Sequence, residues 1–322
     1  MNNIYIFGFS GQDGKISFEV LSRKYKKSSF FLFNKDLLII KKFNSIDKKI
    51  NLSSNFEYIN LISNLFQKFN PSLIFYFAAV HFSFEEKSLN QEKNKQEFTN
   101  YLLPIHILSE CALLNKKTKF LYTSSSLIFS GSKIYPQDEM TERVPTCDYS
   151  NQKVMTEKIL KSLGNKLGID VYIAILYNHE SIYRKEKFFT KKIISFLSKY
   201  KKQRINAKQD KILLYNKDSL IDMGYALDFV NGMVNLVLEG KPDSYIFSTQ
   251  KPIKVKHFVD VVLEFYQLPI SLVEFKESPS RSLYPLIGKN KKIFDEIGWK
   301  PEFYGEKLAK KLCNDFEKFN LI

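Results

Sequence analysis

Cysteine, histidine and arginine are scarce in this chain of 322 residues. The three cysteines, Cys111, Cys147 and Cys313, lie far apart, and the four histidines form no cluster with the spacing of metal ligands. The pattern therefore predicts neither a disulfide framework nor a zinc site. We expect no bound metal.

Long apolar runs are also missing. No stretch approaches the roughly 20 apolar residues that a membrane-spanning helix needs, and the chain enters an apolar strand at once without the pattern of a cleavable signal. Hydrophobic residues make up 44% of the chain, which is long enough for one large or two moderate domains. We expect a cytoplasmic globular protein with no membrane partner.

Arginine forms a small part of a large basic excess. The formal net charge is +15, but only five of the 49 basic residues are arginine. A basic excess favours nucleic-acid binding. However, the lysines are scattered beside many Asn, Ile and Phe, which is typical of an AT-rich genome and of solvated lysine side chains. We therefore expect no nucleic-acid partner.

Glycine is uncommon, yet three glycines fall within seven positions near the N-terminus. The pattern predicts a buried strand over Asn3–Phe7, a glycine loop, and a helix over Ile16–Lys24. This order presents backbone N–H groups and a helix N-terminus to a pyrophosphate. The predicted dinucleotide-binding residues of the loop are Gly8, Ser10, Gly11, Gln12, Asp13 and Gly14.

The end of the second predicted strand, Ser29–Phe33, bears on the choice of dinucleotide. An acidic residue there accepts the ribose hydroxyls of NAD, whereas a basic one tolerates the 2′-phosphate of NADP. Asn34 and Lys35 follow the strand and are predicted to contact the cofactor. Lys35 favours NADP(H) over NAD(H), although Asp36 would supply the acid if the strand were one residue longer.

Further strands and helices alternate along the chain. We predict helices over Leu61–Phe69 and Glu92–Asn115, and strands over Pro71–Ala79 and Asp170–Tyr177. Alternation of this kind predicts an α/β fold with a Rossmann-type, doubly wound parallel sheet. The first of these strands ends in two small cofactor-facing residues, Ala78 and Ala79.

His81 and His106 are most simply interpreted as partly buried structural residues.

A predicted catalytic set follows the strand that begins near Phe120. That strand ends in the hydroxyl-rich sequence Tyr122–Ser126. Tyr149 then opens a helix, and Lys153, about one turn later, projects from the same face. The ammonium should lower the tyrosine pKa from its usual value of about 10, while Ser125 holds the same substrate oxygen. Ser125, Tyr149 and Lys153 thus suit reversible interconversion of a carbonyl and an alcohol.

The same Tyr-x-x-x-Lys spacing occurs again at Tyr183 and Lys187. A chain rich in both residue types produces the spacing by chance. Only Tyr149 follows a strand that ends in serines and starts an amphipathic helix. The sequence therefore favours Tyr149 and Lys153 as the functional pair.

Several of these motifs together resemble the extended short-chain dehydrogenases/reductases of the NAD-dependent epimerase/dehydratase class, which act on nucleotide sugars. They are the Gly8–Gly14 loop, the Ala78-Ala79 strand end, the catalytic set and the string Leu176–Ser181. Within the class the sequence is most similar to GDP-mannose 4,6-dehydratase, because Asn178-His179-Glu180-Ser181, Phe189–Ile193 and Asp222–Val230 recur there in this order. The resemblance covers nearly the whole chain.

The resemblance implies a dinucleotide-binding domain over residues 1–178, with contributions from about 215–250, and a smaller C-terminal lobe over 179–322. That lobe would bind a nucleotide sugar, with a GDP-sugar favoured, and the protein would form a homo-oligomer. Asn178 would lie near the diphosphate or sugar, Lys192 near the base, and Arg184 or Arg281 at the phosphates. The full set of implied substrate-binding residues is Asn178, Glu180, Ser181, Arg184, Lys192 and Arg281.

The chain departs from the family at one chemically important position. The dehydratases carry Ser-Thr-x-Glu at the catalytic strand end, where the glutamate removes a proton during water elimination. This chain has Ser124-Ser125-Ser126-Leu127 instead. Two further departures are Ile221 in place of an arginine and Ser130 in place of a glycine.

Loss of a positioned general base typically costs about 10² to 10⁴ in rate. The sequence therefore argues against unassisted dehydration, unless Asp138, Glu139 or another acid reaches the site. We expect reduction of an NDP-4-keto-6-deoxyhexose by a 4-ketoreductase. The alternatives are an NDP-sugar epimerase, a 4,6-dehydratase with a substituted base, and a catalytically silent relative that binds nucleotide sugars.

Overall fold

The structure is a computed structural model that describes residues 2–34, 37–42, 45–52, 54–81, 90–114, 117–202, 211–277 and 284–319. Three residues named above, Lys35, Asp36 and Arg281, lie outside the described residues. The strands are β1 (Asn3–Phe7), β2 (Ser29–Phe33), β3 (Leu37–Lys42), β4 (Ser45–Asn51), β5 (Leu73–Tyr76), β6 (Lys119–Ser125), β7 (Asp170–Leu176), β8 (Asn178–Glu180), β9 (Ile212–Tyr215), β10 (Leu220–Ile221), β11 (Met223–Tyr225), β12 (Ser244–Phe247), β13 (Ile253–Lys254) and β14 (Val273–Lys276).

The helices alternate with the strands of the main sheet. They are α1 (Gln12–Lys24), α2 (Asn55–Lys68), α3 (Asn90–Glu97), α4 (Leu103–Leu113), α5 (Asp148–Leu167), α6 (Phe189–Lys201), α7 (Ala226–Glu239), α8 (Val255–Tyr266), α9 (Lys291–Ile297) and α10 (Gly305–Phe319). A π-helical turn over Phe98–Leu102 joins α3 to α4, and 3-10 turns occupy Ser126–Phe129 and Ile270–Leu272.

The main sheet has eight strands in the order β12-β7-β6-β5-β1-β2-β3-β4. The six strands from β12 to β2 pair in parallel, whereas β3 pairs antiparallel with β2 and β4 antiparallel with β3. The predicted doubly wound parallel sheet is therefore confirmed for six strands. The antiparallel hairpin over residues 37–51 was not predicted.

Helices cover both faces of this sheet. Helices α1 and α7 pack on one face, and α2, α4 and α5 on the other, each face over its own apolar core. Strands buried on both faces need continuous apolar sequences rather than alternation, and all residues of Ser29–Phe33 and Leu73–Tyr76 are indeed buried. The predicted strands at Asn3–Phe7 and Ser29–Phe33 are confirmed at the same bounds.

A third apolar core is built after β8. It joins α6, α8 and α10 with β9 and β14, and it includes Phe258, Val262 and Leu312. In contrast, β12 is a strand of the main sheet and α7 packs against that sheet, although both lie between the elements of the third core in the sequence.

The strand order reverses between β1 and β5, which are neighbours in the sheet. In open α/β sheets, ligands bind outside the carboxyl ends of the strands at such a switch point. Gly8 follows β1 and Ala78 follows β5 closely, so the predicted cofactor residues meet at this position. The fold thereby places the candidate site at the carboxyl edge of the sheet.

The predicted helix Glu92–Asn115 contains a π-helical turn. Pro104 has no N–H to give to the carbonyl of Asn100, four residues earlier. That carbonyl accepts hydrogen bonds from Thr156 Oγ1 at 2.9 Å and from Tyr122 Oη at 3.3 Å. The irregular turn thus joins three elements beneath the candidate site, where π-turns are often found.

Candidate active site

The glycine loop packs tightly against the end of β5. Gly8 has φ +85°, and a Cβ at this position would lie 2.6 Å from the backbone nitrogen of Ala78. A Cβ at Gly14 would lie 2.4 Å from the carbonyl oxygen of Gly8. Both positions therefore require glycine, which keeps the loop close to the sheet edge.

Hydrogen bonds hold the loop in place next to the N-terminus of α1. The N–H groups of Gly8 and Phe9 donate to the carbonyl of Phe33, and that of Ser10 donates to Asn34 Oδ1 at 2.6 Å. Asn34, predicted to contact the cofactor, thus holds the loop through its side chain. A close backbone approach beside a helix N-terminus fits the pyrophosphate of a dinucleotide.

The side chains of Gln12 and Asp13 turn away from the loop towards the segment after β7. Gln12 Nε2 donates to the carbonyl of His179 at 2.9 Å, and the Ser181 hydroxyl donates to Gln12 Oε1 at 2.8 Å. Asp13 pairs with His179 Nε2 at 3.0 Å. Predicted cofactor residues and a predicted substrate residue therefore contact each other.

Ser125, Tyr149 and Lys153 come together at the ends of β6 and α5. Helix α5 begins at Asp148, one residue before the predicted start at Tyr149, and its start is fixed by Ser150, whose hydroxyl accepts from the N–H of Cys147 at 3.2 Å. The Ser125 side chain is near enough to Tyr149 to oppose, as a hydrogen-bonding group, the rise that burial causes in the pKa of this tyrosine. Lys153 is buried, 1% exposed, and its Nζ donates to the carbonyl of Thr123 at 2.8 Å.

The expectation that Lys153 lowers the pKa of Tyr149 is wrong for this structure. Burial raises the pKa of Tyr149 to about 12, with the Ser125 hydrogen bond and the charge of Arg184 opposing it. Burial also lowers the pKa of Lys153 to about 7, opposed by the charge of Glu157. Desolvation of both groups thus outweighs the attraction that the i, i+4 spacing predicts.

Glu157 continues the row of Tyr149 and Lys153 one turn further along α5. It is 4% exposed, and its Oε2 lies 3.7 Å from Arg143 Nε. Burial raises the pKa of Glu157, while Ser124, Arg143 and Lys153 oppose the shift. Sequence reasoning missed this residue, although extending the four-residue spacing by one step would have found it.

His81 is a second residue that sequence reasoning left outside the site. Its ring centre lies 4.5 Å from that of Tyr149, with the planes at 56°. The preceding residue, Val80, is fixed at both its N–H and its carbonyl by the Asn100 side chain, at 2.9 Å each. His81 therefore lies beside the candidate catalytic tyrosine as well as being partly buried.

The two acids considered as replacement bases face other parts of the molecule. Asp138 Oδ1 accepts from the N–H and hydroxyl of Thr141, and Glu139 Oε1 accepts from the N–H of Ile246 at 2.8 Å. Among the described residues, no hydrogen bond links either carboxylate to Ser125 or Tyr149. Leu127, in contrast, is two residues from Ser125, and its N–H donates to the Ser125 hydroxyl at 3.3 Å.

The segment after β7 places the remaining predicted substrate residues. Asn178 is exposed at the sheet edge, whereas Glu180 is buried and accepts from Thr190 Oγ1. Arg184 Nε lies 3.4 Å from Glu180 Oε2, and its guanidinium is 3.8 Å from the centre of the Phe188 ring. Burial raises the pKa of Tyr149, and the charge of Arg184 partly opposes that rise, so this arginine is within electrostatic reach of the catalytic set.

Lys192 lies apart from that set. It is exposed, and its Nζ donates to the carbonyl of Leu213 at 3.0 Å. The second Tyr-x-x-x-Lys pair is also elsewhere, because the Tyr183 hydroxyl donates to Glu19 on α1 at 2.9 Å. Tyr183 therefore serves as a natural comparison for Tyr149.

The described residues contain neither a candidate metal-binding cluster nor a candidate membrane-spanning helix. Within the ranges given above, no group of three or more His, Cys, Asp or Glu side chains could hold a metal ion. Over the same residues, the helices are too short or too polar to cross a membrane.

The fold is shared with solved structures that include a dTDP-glucose 4,6-dehydratase and a UDP-glucose 4-epimerase. Three of them superpose over 99% of this chain. dTDP-glucose 4,6-dehydratase from Bacillus anthracis, solved with NAD, has a TM-score of 0.80 and 14% identity, with 97% of that chain covered. RMD from Pseudomonas aeruginosa, solved with NADPH, has a TM-score of 0.79, 17% identity and 100% coverage, and UDP-glucose 4-epimerase from Thermotoga maritima, solved with UDP-glucose, has 0.79, 16% identity and 99% coverage. The fold is therefore that of the short-chain dehydrogenase type of epimerases and dehydratases.

A family model described as GDP-mannose 4,6 dehydratase matches residues 5–312. The chain belongs to the GDP-mannose 4,6-dehydratase family. It is 31% identical over 205 residues to GDP-mannose 4,6 dehydratase 2 of Arabidopsis thaliana, covering 62% of this chain but only 53% of that relative. Over 95% of this chain and 87% of the relative, it is 24% identical to GDP-mannose 4,6 dehydratase 2 of Caenorhabditis elegans.

Proposed function

We propose that this chain is an NAD(P)-dependent 4-ketoreductase of an NDP-4-keto-6-deoxyhexose. One observation carries the proposal. Ser125, Tyr149 and Lys153 lie together, whereas Leu127 stands where the family resemblance implies the glutamate that acts as general base in water elimination. Asp138 and Glu139 are hydrogen-bonded elsewhere. Reduction of a ketone needs a proton donor but no base to remove a carbon-bound proton.

Ser125 and Tyr149 would hold the carbonyl oxygen at C4 of the sugar. Ser125 is close enough to Tyr149 to act on its pKa, so both hydroxyls could donate to one substrate oxygen placed between them. Burial raises the pKa of Tyr149 to about 12. The phenol is therefore protonated at neutral pH and ready to give its proton to the alkoxide oxygen as the alcohol forms.

Lys153 would support the proton transfer from beneath the tyrosine. Its Nζ lies 5.7 Å from the centre of the Tyr149 ring and 4.5 Å from that of Tyr122. A positive charge at this distance stabilises the phenolate that remains after the proton is given. The hydrogen bond of Lys153 to the Thr123 carbonyl places Nζ near the carboxyl end of β6, where a cofactor ribose would lie.

The glycine loop, Ala78 and Ala79 would hold the dinucleotide. A reduced nicotinamide supplies the hydride that this reaction needs. We propose NADP(H) rather than NAD(H), because Lys35 in the sequence after β2 favours a 2′-phosphate. Similar folds have been solved with NADPH, as in RMD, and with NAD, as in the Bacillus anthracis dehydratase.

We propose that residues 179–322, apart from the segment that completes the main sheet, form the lobe that binds the nucleotide sugar, with a GDP-sugar favoured. Support comes from the third apolar core and from the family to which the chain belongs. Arg184 is the described cation best placed for the diphosphate, because it is near Tyr149 and only partly exposed. Asn178, exposed at the same edge, would contact the diphosphate or the sugar.

We also propose a homo-oligomer formed through α4, α5 and the π-helical turn before α4. Four large apolar side chains on these elements are exposed: Leu102, Leu113, Met155 and Leu167. Light scattering on the purified protein tests this, and a monomer at micromolar concentration would contradict it.

A paired assay tests the proposed reaction. One arm contains GDP-mannose with NADP⁺, and the other contains GDP-4-keto-6-deoxymannose with NADPH, each followed by absorbance and product mass. We expect NADPH oxidation only with the keto sugar. Loss of water from GDP-mannose would contradict the proposal and show that another residue supplies the base. Absence of turnover in both arms would favour the silent alternative.

A further inference from the structure

Two consecutive side chains of the glycine loop, Gln12 and Asp13, connect it to a segment more than 160 residues later in the sequence. Gln12 bonds through its amide nitrogen to the carbonyl of His179 and through its amide oxygen to the hydroxyl of Ser181. Asp13 bonds to the His179 ring at 3.0 and 3.1 Å. Together these four residues are called the clasp.

Three of the four clasp residues are buried, the Asp13 side chain is 19% exposed, and their polar groups are used within the protein. Gln12, His179 and Ser181 are 8%, 9% and 6% exposed. Both ends of the Gln12 amide and both oxygens of Asp13 have protein partners. Side chains engaged in this way cannot approach a ligand without breaking buried hydrogen bonds, which is costly. Their contribution to binding must therefore be positional.

His179 is fixed from three directions. Its Nε2 pairs with Asp13, its Nδ1 lies 2.7 Å from the carbonyl of Tyr177, and its ring stacks on Phe229 at 5.1 Å. Burial opposes the charged form of His179, but Asp13 outweighs it and raises the pKa of the imidazole. The pair is therefore a rigid contact.

The clasp leads directly to Arg184. Ser181 uses its hydroxyl oxygen to accept from the N–H of Tyr183 at 3.2 Å, and its carbonyl accepts from the N–H of Arg184 at 3.1 Å. The turn that carries the proposed diphosphate cation thus starts from a serine held by the glycine loop. A shift of Gln12 would be transmitted through one hydrogen bond to this turn.

We propose that Gln12, Asp13, His179 and Ser181 are positioning residues that couple the two binding sites. A dinucleotide on the glycine loop would raise the affinity of the 178–184 segment for a nucleoside diphosphate, and the reverse. This inference rests on the proposed function, because it requires both ligands. By thermodynamic linkage the two effects must be equal in size, typically about 5-fold or more.

Calorimetric titration of the whole chain measures this coupling without catalysis. GDP is titrated into the protein alone and into the protein saturated with NADP⁺, and NADP⁺ is titrated with and without GDP. We expect each ligand to lower the dissociation constant of the other by about 5-fold or more, by the same factor. NAD⁺ is tested in parallel as the dinucleotide.

Ser181→Ala removes the hydroxyl that Gln12 accepts from, and Gln12→Leu removes the amide. We expect both variants to bring the coupling factor close to one, whatever change each causes in the affinity for a single ligand. Ser22→Ala is the matched control, because the Ser22 hydroxyl donates to the Glu19 carbonyl within the same helix, α1. It should retain the coupling of the unaltered protein.

The outcomes separate the inference from the proposed function. If the unaltered protein binds neither dinucleotide nor GDP, the proposed function fails and the coupling with it. If it binds both ligands independently, only the coupling is overturned. Coupling that persists in Ser181→Ala and Gln12→Leu would also overturn it. The measurement on unaltered protein decides the matter even if a variant does not fold.

Discussion

The backbone N–H of Leu127 donates to the hydroxyl of Ser125 at 3.3 Å. An apolar side chain therefore starts two residues from a proposed catalytic hydroxyl, at the position where the family carries a glutamate. Proton removal from carbon needs a basic group within reach of the substrate. Leucine supplies no basic group, so Leu127 favours reduction over water elimination.

Leu127→Glu should restore a base at this position. We expect loss of water from GDP-mannose at a rate at least about 10² above that of Leu127→Gln, measured by product mass. Glutamine matches glutamate in size but cannot accept the proton, so it is the control. Equal rates in the two variants would show that the missing glutamate is not what prevents dehydration.

Tyr149→Phe removes the proposed proton donor while leaving the ring beside His81. Turnover of the keto sugar should fall by about 10² to 10⁴, and NADP⁺ binding measured by calorimetry should remain. Tyr183→Phe is the matched control, because its hydroxyl contacts Glu19 on α1. Turnover of Tyr149→Phe at the unaltered rate would remove Tyr149 from the mechanism.

Glu157→Gln removes the negative charge that raises the pKa of Lys153 against burial. Lys153 would then lose its proton at a lower pH. The basic limb of the kcat/KM profile should therefore move down by about one pH unit. Lys158→Gln, on an exposed position of the same helix, should leave the profile in place. An unchanged profile in Glu157→Gln would contradict a role for the Lys153 charge.

Asp13→Asn should lower the free energy of unfolding by about 1.5 to 3 kcal/mol in a pH-dependent way. Burial favours a raised pKa for Asp13, but the interaction with His179 outweighs burial, and the pKa of Asp13 lies below 3.8. Burial likewise opposes the charged form of His179, but Asp13 outweighs burial and raises the pKa of His179 above 6.5. The stabilisation from His179 is fully present below about pH 6.5 and is lost as the pH rises through the raised pKa of His179. The stabilisation from Asp13 is fully present above about pH 3.8 and is lost as the pH falls through the lowered pKa of Asp13.

The difference between unaltered protein and Asp13→Asn should therefore be largest between about pH 4 and 6.5. Urea denaturation at several pH values measures it. A difference that is constant from pH 4 to 9 would mean that the pair does not carry opposite charges in the folded protein.

Local patterns in the sequence predicted much of the fold. Asn3–Phe7 and Ser29–Phe33 are short, continuous apolar runs beside turn residues, so both strands could be located at their observed bounds. The hairpin over residues 37–51 was missed, because its pairing depends on the edge of the finished sheet. The π-helical turn near Asn100 follows from Pro104, but only tertiary contacts show that its carbonyl reaches Thr156.

The candidate site was predictable where it depends on spacing and not where it depends on burial. The four-residue step brought Tyr149 and Lys153 onto one face, but spacing does not reveal that desolvation raises the tyrosine pKa. His81 and Tyr149 are 68 positions apart, and only the folded chain brings their rings together. Similarly, Gln12 and Ser181 belong to two recognisable motifs whose mutual contact is a property of the tertiary structure.

The most direct test of the central claim follows the hydride itself. NADPH carrying deuterium at both hydrogen positions of nicotinamide C4 is incubated with the protein and GDP-4-keto-6-deoxymannose, and the sugar product is analysed by mass spectrometry for label at C4. We expect one deuterium per product molecule, with stoichiometric oxidation of NADPH. Product formed without label, or water loss from GDP-mannose in place of reduction, would contradict it.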